Sequence, residues 1–171
     1  MGMFMASVSF RCADTEKWKS VRPEIEKMFL GLDGLFSNFD GAGPGYGILS
    51  PYGDMGMFLA ELPEKISRLT GDYAVMAMCV DSDYNMMELY RSGELLEKSC
   101  IGECYDEYAE EFGYGEPDLE KWVPLLLDSG RLEDLKEALF DVDVFADGNL
   151  RLLTELTGLP VLDDEMMMSA V

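Results

Sequence analysis

DYAVMAMCVDSDYNMMELYRSGELLEKSCIG, residues 72–102, is the stretch whose reading decides the fold. DYAVMAMCV is a short, almost wholly apolar run, which predicts a buried strand. YNMMELYRSGELLEKSCIG follows as two strand-like segments around Ser92-Gly93, a pair suited to a tight hairpin turn. DSDYN joins the first run to this hairpin, and Asp and Asn favour such turns because their side chains hydrogen-bond the local backbone. An antiparallel sheet is therefore expected at the centre of the chain.

Upstream, MFMASVSFRC predicts a first strand buried on at least one side. Asp14 or Thr15 is placed to cap a helix after it. Trp18, Val21, Ile25, Met28 and Phe29 recur at helical spacing, and Pro23 predicts either a kink or a start near Val21. GYGILSPY reads as a short strand. In DMGMFLAELPEKISRLTGD, Phe58, Leu59, Leu62, Ile66 and Leu69 share a helical face. Asp54 is a candidate cap, Pro63 marks a kink or restart, and Gly71 is a candidate stop.

Downstream the pattern turns helical. LEKWVPLLLDSG carries Trp122, Val123, Leu126 and Leu127 around Pro124. LEDLKEALFDV carries Leu132, Leu135, Leu139 and Phe140, and DGNLRLLTELTGLP ends at Gly158 and Pro160. The expected fold is α+β: a mostly antiparallel mixed sheet flanked by helices, with a helical C-terminal third. The 171 residues suit one domain, with a sheet part over 1–116, a helical part over 117–160 packed on it, and a loose tail over 161–171.

Charge is the strongest compositional signal. Thirteen basic and 34 acidic residues give a net charge of −21. Residues 1–60 hold five bases and seven acids, whereas residues 61–171 hold eight and 27. Such a field repels nucleic acid and anionic membranes and attracts a basic protein, although it also serves plain solubility. No apolar run approaches the ~20 residues that span a bilayer. The apolar stretch near the start has no basic residue ahead of it, so a secretory signal is not expected and the cytoplasm is.

Four cysteines are present, Cys12, Cys79, Cys100 and Cys104. Reduced thiols are the default in that compartment, with a Cys100/Cys104 structural or redox pair as the alternative. The chain has no histidine, which removes His-assisted nucleophiles and the commonest general base.

DGAGPGYGILSPYGDMG, residues 40–56, raises the question of a phosphate cradle, yet its glycines alternate at 41, 43, 45 and 47 and no G-K-[ST] follows. A turn-rich connector is the expectation. Asp81, Asp83 and Asn85 match the first three ligand positions of a calcium loop, but Met86 and Ser92 occupy the glycine and bidentate-glutamate positions. Asp81 and Asp83 remain the metal candidates, and no cofactor is expected.

GECYDEYAEEFGYGEPDLE, residues 102–120, contains eight acids and no base, with aromatics interleaved. Tyr105, Tyr108 and Phe112 share a helical face, which either packs on the core or forms a recognition surface. In the second case Glu103, Asp106, Glu107, Glu110 and Glu111 supply charge, and Tyr105, Tyr108 and Tyr114 supply anchors. The order VMAMCVDSDYNMMELYRSGEL, a tryptophan-bearing helix, and FADGNLRLLTELTGLP resembles small bacterial proteins of the toxin-immunity kind over residues 72–160. That resemblance implies a non-enzymatic neutralising partner and carries over no catalytic residue. Binding a basic protein, such as a nuclease toxin, is thus the leading expectation. The alternatives are a small metal- or ligand-binding enzyme using the glycine-rich loop with Asp81 and Asp83, and a module whose acidity serves only solubility.

Overall fold

A computed structural model describes residues 5–29, 36–38, 45–50, 61–102, 111–142 and 145–162. The strands are β1 (Met5–Arg11), β2 (Phe36–Asn38), β3 (Gly45–Ser50), β4 (Tyr73–Val80), β5 (Tyr84–Arg91) and β6 (Glu94–Gly102). The helices are α1 (Thr15–Phe29), α2 (Leu62–Thr70), the single turn α3 (Leu119–Trp122), α4 (Leu132–Phe140) and α5 (Asp147–Thr157). The strands form one sheet in the order β2-β3-β1-β4-β5-β6, and every strand pairing in it is antiparallel. Its parallel contact is an isolated bridge between Ser99 and Gly115. The fold is α+β, as the central hairpin and the helical C-terminal third predict.

β4 is central, and its burial explains its composition. Tyr73, Val75, Ala77 and Cys79 face one core with Met87, Leu89, Ile101, Trp122 and the apolar faces of α4 and α5. Ala74 and Met76 face the other, with Val8, Phe10, Trp18, Ile25 and Ile66. Because side chains alternate across a strand, a strand covered on both sides must be apolar at both parities. Ser7 on β1 donates its hydroxyl to the Val161 carbonyl at 2.7 Å, and Val161 and Leu162, expected to begin a loose tail, are instead buried in the first of these cores.

Local details follow from backbone chemistry. Asp14 caps α1, its Oδ1 accepting from the backbone N–H of Glu16 and Lys17 at 3.0 Å each. The helix then runs on through Pro23 rather than starting near Val21. Pro63 sits in the first turn of α2, where its missing N–H costs nothing, and the restart reading holds. Asp54, Phe58 and Leu59 lie outside the described residues. Pro124 divides the tryptophan segment into α3 and a 3₁₀ turn, Val123–Leu125. The strand β2 carries no clear sequence signal and was not expected.

Two tight turns join β4, β5 and β6. Asp81 and Ser82 have φ of 50° and 59°, and Asp83 N–H donates to the Val80 carbonyl at 3.0 Å. Ser92 and Gly93, at 51° and 87°, make the second turn as expected. Gly102 closes β6 with φ 98°, and a Cβ there would stand 2.5 Å from the Asp83 carbonyl oxygen and 3.0 Å from Tyr84 Cα. Both contacts are backbone, so no rotamer change relieves them. Gly102→Ala is expected to lower the chemical-denaturation midpoint, with a loss of about 2 kcal/mol or more. A midpoint within experimental error of the parent would contradict the packing of β6 against this turn.

Candidate partner-binding surface

The acidic-aromatic segment leaves the sheet at the end of β6, and its C-terminal part returns to the same strand. Gly115 N–H donates to the Lys98 carbonyl at 3.1 Å, and its carbonyl accepts from Cys100 N–H at 2.9 Å. Of the residues predicted to contact a partner, Glu111 is exposed and Tyr114 is half-buried. Glu103, Tyr105, Asp106, Glu107, Tyr108 and Glu110 lie outside the described residues. Phe112, from the same predicted face, is 46% exposed.

Tyr114 is fastened to the sheet. Its hydroxyl donates to Glu88 Oε1 at 2.9 Å, and the Lys98 ammonium lies 4.7 Å from its ring centroid. Lys98 also donates to the Phe112 carbonyl at 2.9 Å and stands 3.5 Å from Glu88. The other Glu88 oxygen accepts from the Tyr90 hydroxyl at 2.8 Å. A buried carboxylate is tolerable only when its oxygens are satisfied, and here two phenols and a nearby ammonium do so. The group explains why a glutamate interrupts an otherwise apolar strand. That interruption in NMMELYR was the available signal, and sequence reasoning passed over it because 34 acids hide any particular one.

On the opposite face, Glu97 performs a similar task. Its Oε1 accepts from Trp122 Nε1–H at 2.9 Å and its Oε2 from Asp118 N–H at 2.8 Å. The segment 111–118 is thus held to β6 by backbone pairing and by one buried carboxylate on each face of the sheet.

Asp81 and Asp83 occupy the β4–β5 turn as exposed carboxylates flanking the buried Ser82. Asn85 points into the interior, with Nδ2 donating to the Ala146 carbonyl at 2.5 Å. The three side chains do not converge, and among the described residues no group of three or more Cys, Asp and Glu is placed to hold a metal. In the glycine-rich stretch, residues 45–50 form β3, with Gly45 opposite Arg11 and Gly47 opposite Ser9. The rest of the loop lies outside the described residues.

The cysteines depart from the all-reduced expectation. Cys100 is disulfide-bonded, whereas Cys12 and Cys79 are free and buried. Compartment was the ground for expecting reduced thiols, whereas geometric proximity decides pairing. Thiol titration in denaturant is expected to count two groups before reduction and four after it. Four before reduction would contradict the bond.

Burial pushes the Cys79 thiol up to about 11 from 9.0. Burial, and then the hydrogen bond to Glu88, raises the Tyr90 phenol. Both groups lose protons more readily when unfolded, so the stability they contribute is complete below about pH 9 and declines as pH rises through the folded value. The urea midpoint is expected to fall between about pH 8 and about pH 10.5, and an unchanged midpoint would contradict these burials.

Among the described residues no helix is long and apolar enough to cross a membrane. No family model matches the chain, and neither curated proteins nor solved structures match it.

Proposed function

We propose that this chain binds and neutralises a basic protein, of the kind represented by a nuclease toxin, and does so without catalysis. The observation that carries the reading is the fate of the cations in residues 61–171. Seven of the eight are already ion-paired within the chain: Lys65, Arg68, Lys98, Lys121, Arg131, Lys136 and Arg151. The eighth, Arg91, stacks over Tyr73. With 27 acids against these eight bases, this part carries a net charge of −19. Placed on a surface with aromatic residues, that excess favours a partner with the opposite sign and speeds its arrival. Nucleic acid and anionic membranes are disfavoured by the same field.

The test is co-expression with the protein encoded next to it. The expected result is a stoichiometric complex on size exclusion that salt dissociates, together with protection of the host from that protein's toxicity. No complex at low salt and no protection would count against the reading.

A further inference from the structure

We propose that the partner surface continues beyond the acidic-aromatic segment onto the end of the sheet formed by the β4–β5 turn and the α4–α5 corner, with Phe145 and Phe140 as its apolar anchors. The occupant is a basic protein that presents an apolar side chain ringed by lysine or arginine. This inference rests on the basic-partner reading and adds a location and an apolar component to it.

Three sets of contacts assemble the surface. Ala146 N–H donates to the Ser82 carbonyl at 2.8 Å, and the Ala146 carbonyl accepts from Asn85 Nδ2. Phe145, 61% exposed, is thereby held beside the exposed Asp81 and Asp83. Asn149 Nδ2 donates to the carbonyls of Ala138 at 2.9 Å and Asp141 at 2.8 Å, fixing the end of α4 against the first turn of α5. Phe140, 48% exposed, and the exposed Asp141 belong to that same corner. Finally, Tyr84 pairs with Gly102, where a Cβ would stand 2.5 Å from the Asp83 carbonyl oxygen. The acidic-aromatic segment therefore starts at this turn.

Single exposed apolar residues are ordinary, but two phenylalanines on one corner with an acidic rim have the make-up of a contact patch. Charge complementarity selects the occupant. Arg11 and Arg91 lie 5.1 and 5.2 Å from the ring centroid of Tyr73, at the other end of β4. Arg11 at that end is paired with Asp72 at 2.9 Å, and the eight residues of β4 put both arginines about 25 Å from the Asp81 turn. The exposed Asp81, Asp83 and Asp141 draw a cationic partner to the turn and the corner.

The probe is a synthetic amphipathic peptide of leucine and lysine, compared with an oligolysine of equal charge, each titrated into the full chain and followed by backbone amide shifts. The leucine–lysine peptide is expected to shift Asp81–Asp83, Phe140, Asp141 and Phe145, and to bind more tightly than oligolysine. Phe145→Ser is expected to weaken it about fivefold or more while leaving the unbound spectrum otherwise intact. Asp81→Asn with Asp83→Asn is expected to reduce the salt dependence. Equal binding of both peptides with no effect of Phe145→Ser would overturn this surface and leave the charge reading standing. Binding of neither peptide would overturn both.

Discussion

Reversing Glu107, Glu110 and Glu111 to lysine together is expected to slow association with a basic partner about ten- to a hundredfold at low salt. The three changes take the net charge from −21 to −15 while leaving most of the molecule's field in place. Their effect depends on position. Long-range attraction sums over all charges, but the last few ångströms of approach are governed by those nearest the contact. Glu111 is exposed and belongs to no ion pair among the described residues, so reversing it breaks no described internal partner. The difference from the parent is expected to shrink as salt rises, because the Debye length falls to about 10 Å at 0.1 M. A control reversal of the exposed Glu24, Glu94 and Glu137, with the same formal charge change elsewhere, is expected to produce a smaller loss. Stopped-flow association across a salt series separates the two. Equal rates for both triple variants would remove the site assignment while leaving the general attraction.

Trp122→Ala is expected to lower the unfolding free energy by about 3–5 kcal/mol. Trp122 is fully buried in the core between the sheet and the C-terminal helices. Its loss opens a cavity, and it also removes the donor to Glu97 Oε1, leaving a carboxylate only 7% exposed with one partner fewer. The two costs can be separated. Trp122→Phe keeps much of the apolar volume and loses the N–H, and should cost about 1–3 kcal/mol. Glu97→Ala leaves the Trp122 indole N–H and the Asp118 amide without that acceptor, and should fall in a similar range. Urea unfolding gives all three values. A loss below about 1 kcal/mol for Trp122→Ala would mean that the helical part does not close this core.

The regular elements were the most legible part of the sequence. β4 and the β5–β6 hairpin could be read because burial on both faces and the Ser92-Gly93 turn leave direct marks on residue type. α4 and α5 could be read because Leu132, Leu135 and Leu139, and then Leu150 and Leu153, recur at helical spacing. Pro23 misled in part: it stands at the middle of α1, where it removes one helical hydrogen bond, yet the helix runs on because Trp18 and Ile25 on either side are buried in the core. β2 was invisible because three residues are too few to show a period. The Glu88 and Glu97 anchors were hidden by composition, since in a chain this acidic a buried carboxylate looks like any other. Cys100 was assigned by compartment, whereas its state follows from spatial proximity. Phe140 stands with Leu132, Leu135 and Leu139 in the helical pattern, yet as the last residue of α4 it is 48% exposed. Phe145 stands outside both predicted helices, so no periodicity argument reached it.

The central claim is that the surplus negative charge serves one partner. Its most direct test is a pull-down from the source organism's lysate, washed across a salt series and read by quantitative mass spectrometry. One basic protein retained in stoichiometric amount and released over a narrow salt range is the predicted result. Recovery of scattered ribosomal and other basic proteins alone, all lost at low salt in proportion to their charge, would contradict it.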